Sequence, residues 1–122
     1  MQLVPHLSFN GQCEEAFKFY EQVLAAKITF MAPYPEWPDK TMHATIEVGD
    51  RIMHGADAPP EHFKTPQGFS PALATKDTAE AERLFNALAE GGTVQMPLQQ
   101  TFWASRFGML TDRYGIPWMI NC

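Results

Sequence analysis

Two neighbouring segments near the middle of the 122-residue chain combine histidine, threonine and glutamate side chains in an alternating pattern. Gly49 and Asp50 are typical of a two-residue turn, which predicts a hairpin of strands Met42–Val48 and Arg51–Asp57. Because successive side chains point to opposite faces of a strand, one face of this hairpin is predicted to carry His43, Thr45, Glu47 and His54.

Imidazole and carboxylate groups on one surface can transfer protons, since histidine changes its charge near neutral pH. His43 and Glu47 are therefore the predicted catalytic residues, and Thr45, which lies opposite His54, is a predicted ligand contact. A structural alternative stays open. In that alternative the histidines only hydrogen-bond to neighbouring hydroxyl or carboxylate groups, and Glu47 is solvated.

The elements that position these residues occur twice along the chain. Apolar residues at the helical spacing i, i+3, i+4 and i+7 begin at Ala16 and again 65 residues later at Ala81. The same offset moves the Gly49 turn into a second predicted turn around Tyr114. A repeat of fixed period predicts an α+β fold of two tandem βαβββ modules, 1–58 and 69–122, with a linker over 59–68.

Local signals add detail to each predicted module. Asn10 is expected to cap the first helix, and Asp77 is expected to cap the second. The strand Ile28–Met31 is followed by prolines that predict an extended loop over 33–38, which carries Trp37. A long strand is predicted at Thr101–Thr111.

Composition excludes several classes of protein. The net charge is −5 and the chain has no lysine or arginine cluster, which argues against nucleic acid or an anionic membrane as a partner. The N-terminus lacks a basic stretch followed by an apolar one, and two cysteines do not form a disulfide framework. We therefore expect a cytoplasmic protein, in which Cys13 is a small buried thiol rather than a nucleophile.

Several sequence stretches resemble one known family. Residues 7–11 (Leu-Ser-Phe-Asn-Gly), residues 42–44 (Met-His-Ala) and the ending from Thr101 to Asn121 are similar to the PhnB-like branch of the vicinal-oxygen-chelate superfamily. That superfamily includes glyoxalase I, extradiol dioxygenases and bleomycin-resistance proteins. Members of the branch have often been labelled as demethylubiquinone methyltransferases, but this sequence has no glycine-rich turn of the nucleotide-binding kind.

The resemblance implies a curved, incompletely closed barrel and a homodimer, with or without exchanged modules. It also implies that metal ligands come from the first and last strands of each module. His6 and His54 match those positions in the first module, but Pro71 and Met119 match them in the second. The implied metal site is therefore incomplete. A divalent metal is one possibility, and an organic ligand held without any cofactor is the outcome that the sequence favours.

Two functions follow from these expectations. The first is a small-molecule-binding protein that acts as a lyase, isomerase or oxygenase through His43, His54 and Glu47, with His6 nearby. The second is a non-catalytic sequestering protein, similar to bleomycin-resistance members, whose aromatic side chains stack on a planar ligand. The aromatic residues predicted to contact the ligand are Trp37, Trp103, Phe107 and Trp118. A third, structural interpretation is that the cleft is vestigial.

Overall fold

The computed structural model describes residues 1–122 and divides them into two compact units, Met1–Lys64 and Thr65–Cys122. Unit 1 contains strands β1 (His6–Phe9), β2 (Lys27–Tyr34), β3 (Trp37–Val48) and β4 (Arg51–Asp57), with helix α1 (Cys13–Leu24) between β1 and β2. Unit 2 contains β5 (Ala72–Ala74), β6 (Thr93–Gln99), β7 (Phe107–Thr111) and β8 (Pro117–Asn121), with helix α2 (Thr78–Ala89) between β5 and β6. None of the helices has the length and apolar character needed to cross a membrane.

Each unit is a βαβββ module with an open four-stranded sheet. The strand orders are β1-β4-β3-β2 and β5-β8-β7-β6, so the two sheets have the same topology. The first strand of each module pairs in parallel with its last strand, and the other pairs are antiparallel. The predicted α+β class and the tandem repeat are confirmed. The register of the β3–β4 hairpin, with Thr45 opposite His54, is also confirmed.

Each helix covers one face of the sheet in its own unit. In unit 1 the apolar side of α1, including Phe17 and Tyr20, packs against the buried face of β3 and β4. Gly55 permits this close approach, because a Cβ atom at that position would lie 2.6 Å from the Phe17 ring. Gly108 in β7 has the same relation to Phe85 of α2. The opposite face of each sheet therefore carries the less buried side chains.

A buried carboxylate connects three parts of unit 1. Asp57 ends β4 and is 2% exposed. Its Oδ1 accepts a hydrogen bond from the backbone N–H of Cys13 at 2.9 Å, and its Oδ2 accepts one from the N–H of Thr41 at 2.8 Å. Its carbonyl oxygen accepts a third from the hydroxyl of Tyr34 at 2.7 Å. Asp57 therefore joins the N-terminus of α1 to β2 and β3.

Unit 2 has its own buried carboxylate at a different place. Asp112 lies in the turn between β7 and β8, where Oδ1 accepts from the N–H groups of Tyr114 and Ile116. Its Oδ2 accepts from Nε1 of Trp118 at 2.8 Å. This carboxylate therefore fixes the β7–β8 turn rather than a helix terminus.

Three local predictions are wrong or incomplete. Asn10 does not cap α1, whose N-cap is Gln12 without a side-chain bond, because Asp57 supplies the acceptor from a distant strand. The proline-rich stretch is a hairpin, with Tyr34 paired to Trp37, since β2 is an edge strand and tolerates proline. The predicted strand Thr101–Thr111 begins only at Phe107. Its first residues instead form a local turn in which the N–H of Ala104 donates to Oγ1 of Thr101.

Two other local predictions are confirmed. Asp77 caps α2, and its Oδ1 accepts from the N–H of Ala79 at 3.0 Å. Cys13 is fully buried, and desolvation together with the nearby charge of Asp57 raises the pKa of its thiol to about 12. A thiol with that pKa stays protonated at neutral pH, which fits a structural residue and not a nucleophile.

Replacing Asp57 by asparagine is expected to destabilise the protein by about 2–4 kcal/mol. The substitution keeps the side-chain shape but turns one acceptor oxygen into an NH₂ group that must face a backbone N–H of Cys13 or Thr41. Urea unfolding of Asp57→Asn measures the loss. The matched control is Asp50→Asn in an exposed turn, and equal stabilities of the two variants would contradict the role assigned to Asp57.

Candidate functional site

Three histidines meet on the face of the unit 1 sheet that lies opposite α1. His6 in β1 is in register with His54 in β4, and His43 comes from the neighbouring strand β3. The ring centroids of His43 and His54 are 4.8 Å apart, and those of His6 and His43 are 6.5 Å apart. These three side chains are called the imidazole cluster below. Their meeting follows from the parallel pairing of β1 with β4, which no local sequence pattern specifies.

A hydroxyl group and an aromatic ring adjoin the cluster. Oγ1 of Thr45 lies 3.0 Å from Nδ1 of His54, so this hydrogen bond holds the imidazole and leaves Nε2 as the ring nitrogen available to a ligand. Phe30 from the edge strand β2 lies 5.9 Å from His43, centroid to centroid, and is 52% exposed. The sequence prediction missed Phe30, whose face of β2 cannot be read from alternation with Ile28, because the β2–β3 register shifts between these two residues.

The surroundings of His6 disfavour a positive charge on its ring. Desolvation lowers the pKa of His6 below its ordinary value of 6.5, and the nearby positive charges of protonated His43 and His54 lower it further. A neutral imidazole has a free ring nitrogen that can accept a proton or a hydrogen bond. The arrangement can therefore supply hydrogen-bond acceptors, and a proton acceptor, to a molecule bound on this face.

Glu47 does not belong to this group. It lies on the same face as His43 but four residues further along β3, a separation of roughly 13 Å at 3.3 Å per residue. The side chain is exposed, and its strand partners are Lys27 and Ile52. The structure therefore brings together His6, His43, Thr45 and His54, but leaves Glu47 at the end of the hairpin.

The residues of the cluster do not form a metal centre. No group of three or more histidine, cysteine, aspartate or glutamate side chains in the chain is arranged to hold a metal ion. Because these side chains are not arranged to hold a metal ion, no chemical step is assigned to a metal at His6 and His54.

The predicted aromatic contacts lie in different environments. Trp37 is partly buried beside Tyr34, with ring centroids 5.7 Å apart, inside the β2–β3 hairpin rather than on a loop. Trp103 is 56% exposed in unit 2 and contacts Phe107 edge-on at 5.5 Å. Trp118 is 1% exposed, and its indole donates to Asp112, so its ring is part of the core and is not available for stacking on a ligand.

Sequence comparisons identify relatives over nearly the whole chain. A family model described as 3-demethylubiquinone-9 3-methyltransferase matches residues 1–121. Protein YjdN from Escherichia coli (strain K12) is 32% identical over 139 residues, which cover 99% of this chain and 95% of that protein.

Solved structures give the same result for the fold. Protein PA1353 from Pseudomonas aeruginosa is 50% identical with a TM-score of 0.93, over 100% of this chain and 97% of that one. A putative 3-demethylubiquinone-9 3-methyltransferase, PhnB protein, from Bacillus cereus is 25% identical with a TM-score of 0.88, over 99% and 98% of the two chains. A FosX variant from Listeria monocytogenes shares the fold at 8% identity, with a TM-score of 0.74 over 99% and 90%.

The lowered pKa of His6 predicts a loss of stability in mild acid. Below pH 6.5 the unfolded chain binds a proton at this position more readily than the folded chain, so the stability present above pH 6.5 is lost as the pH falls through the folded pKa. Between about pH 7 and pH 5, the melting temperature of His6→Gln is expected to fall less than that of the unmodified protein. Thermal unfolding in a chelating buffer measures this, with His62→Gln as the control. Identical pH slopes for His6→Gln and the unmodified protein would contradict the prediction.

Proposed function

The chain belongs to the family described as 3-demethylubiquinone-9 3-methyltransferase, which is the PhnB-like branch of the vicinal-oxygen-chelate superfamily, and from that premise we propose that it binds a small organic molecule on the imidazole cluster. The observation that carries this proposal is the meeting of three imidazoles from three strands on one sheet face. Desolvation and the nearby His43 and His54 disfavour a protonated His6, so this clustering brings no ionic stabilisation to the fold and favours a role in binding.

His43 is the central residue of the proposed site. It contacts both other histidines and the Phe30 ring, so a ligand that lies against Phe30 also reaches an imidazole. We assign His43 the role of proton acceptor, and we assign His54, held by Thr45, the role of orienting the ligand through a hydrogen bond. Proton transfer within a bound molecule is the chemistry of isomerases and lyases. Glu47 lies too far along the strand to share a proton with His43 directly.

Methyl transfer, which the description of the family names, is not the reaction proposed here. The turn from β1 to α1 has one glycine, Gly11, and not the glycine-rich sequence with which strand-to-helix turns bind nucleotide cofactors. The FosX structure contains Mn(II) and 1S,2S-dihydroxypropylphosphonic acid. It supports small-molecule binding as one use of the fold, but its low identity supports neither its ligand nor its metal in this chain.

Selective retention of a metabolite tests the proposal. The immobilised protein is equilibrated with a cell extract, and the retained small molecules are identified by mass spectrometry. The unmodified protein and His62→Ala, a change in the exposed turn after β4, are expected to retain the same compound. His43→Gln and His54→Gln are each expected to weaken retention by about tenfold or more, since each loses a hydrogen bond to the ligand.

Two results would contradict this function. One is retention that is the same in all four proteins, and the other is the absence of any specifically retained compound.

A turnover assay then separates catalysis from binding. The retained compound is incubated with the unmodified protein and with His43→Gln, and a product that appears only with the former supports proton transfer by His43.

A second candidate function is sequestration without catalysis. It is supported by the exposed aromatic group on the segment before β7, where the rings of Phe102 and Trp103 meet edge-on at 4.8 Å and Trp103 also contacts Phe107. Open aromatic surfaces of this kind can stack on planar molecules. The homodimer implied by the resemblance and the cytoplasmic location expected from the sequence are kept as proposals alongside both functions.

Trp103→Ala distinguishes the two candidates. If sequestration by this aromatic group is the function, the variant is expected to lose most of the retained compound, because stacking supplies the affinity. If the imidazole cluster is the site, Trp103→Ala retains the compound as the unmodified protein does. The measurement is the same extract retention, with Phe19→Leu on the first helix as a control for a general loss of aromatic surface.

A further inference from the structure

Unit 2 contains a cavity on the face of its sheet opposite α2. Its floor includes Met109 and Met119, which are direct partners in the β7–β8 pair, and Gln95 lines it from the next strand. Phe69 and Ser70, from the segment before β5, border it on another side. Its volume is about 440 Å³, within the range of roughly 300–1,000 Å³ that is typical of small-molecule sites.

The lining of this cavity contains no ionisable side chain. Twelve residues border it, and none of them is Asp, Glu, Lys, Arg, His, Cys or Tyr. In a chain with 19% charged residues, a lining of this size drawn at random would include about two charges. A charged ligand group would therefore find no ionic partner among the lining side chains to offset any hydration that it loses.

The side chains that are present favour an apolar molecule. Met109 and Met119 carry flexible, polarisable thioethers that adapt to irregular apolar or aromatic shapes. Leu110 and Trp118 are each 1% exposed on the helix side of the sheet, so they border the cavity with backbone atoms. The polar groups that remain, such as the amide of Gln95 and the hydroxyl of Thr111, can bond to a neutral carbonyl or amide.

We infer that the unit 2 cavity binds a neutral, largely apolar organic molecule, such as an aromatic amide or ketone, and discriminates against anions of the same shape. This inference rests on the proposed function only in that both require a small-molecule ligand. The inference concerns residues outside the imidazole cluster, and it adds the chemical class of the ligand. The corresponding paired positions of unit 1 carry Thr45 and His54, whereas those of unit 2 carry the thioethers of Met109 and Met119.

An isosteric pair of probes tests the inference. 1-Naphthamide and 1-naphthoate have nearly the same shape, but only the second is charged at pH 7.5. The protein is labelled with ¹³C at the methionine methyl groups and titrated with each probe by NMR. Naphthamide is expected to shift the signals of Met109 and Met119 and to leave those of the four unit 1 methionines unchanged, which are Met1, Met31, Met42 and Met53. Naphthoate is expected to bind at least about tenfold more weakly.

A pair of variants locates the effect in the cavity. Met119→Leu conserves an apolar side chain of similar volume and is expected to bind naphthamide within about threefold of the unmodified protein. Met119→Glu places a charge in the cavity and is expected to weaken binding at least about tenfold. Circular dichroism checks that both variants fold. If Met119→Glu does not fold, the two probes on the unmodified protein decide the question.

Three outcomes would overturn the inference: equal or tighter binding of naphthoate, shifts confined to the methionines of unit 1, or no naphthamide binding up to its solubility limit. Its failure is distinguishable from failure of the proposed function. Metabolite retention that depends on His43 can persist when naphthamide does not bind, and naphthamide can shift Met109 and Met119 when His43→Gln has no effect on retention.

Discussion

The structure of unit 1 depends on one buried carboxylate. Asp57 receives two backbone N–H groups, one from the first residue of α1 and one from β3, and its own carbonyl accepts the Tyr34 hydroxyl. A buried carboxylate is tolerable only when its oxygens are bonded, so the helix terminus, the β2–β3 hairpin and the end of β4 must come together for the chain to bury it. The same contacts fix the position of β4, whose His54 lies three residues before Asp57. The imidazole cluster is thus built on a strand that the carboxylate holds at its end.

The two modules share one topology but present different chemistry on the faces that their helices leave uncovered. In unit 1 the paired positions Thr45 and His54 form a hydrogen bond beside two further imidazoles. In unit 2 the paired positions Met109 and Met119 form an apolar floor beneath a cavity without ionisable groups. Duplication explains the common frame, and the side chains at corresponding positions explain why the two faces favour ligand groups of different polarity.

Much of this could be predicted from the sequence, and the exceptions have physical reasons. Helical periodicity and the 65-residue repeat predict both helices and the βαβββ order, because amphipathic patterns reflect burial directly. The hairpin turn at Gly49 predicts the partnership of Thr45 with His54.

The proximity of His6 to His43 was not predictable from local patterns, since it depends on the parallel pairing of β1 with β4. The cap of α1 was missed for a similar reason, because its acceptor, Asp57, lies 44 residues away. The burial of Trp118 was not predictable either, because its hydrogen bond to Asp112 is not visible in the sequence pattern.

The central claim is that the imidazole cluster is the ligand-binding surface of unit 1. An NMR screen of small organic fragments against protein with ¹⁵N-labelled histidine rings tests it most directly, since the chain has four histidines and His62 serves as an internal reference outside the cluster. The account predicts that fragments which bind unit 1 shift the ring signals of His43 and His54 and leave His62 unchanged. Fragments that bind unit 1 while all three cluster signals stay in place would contradict it.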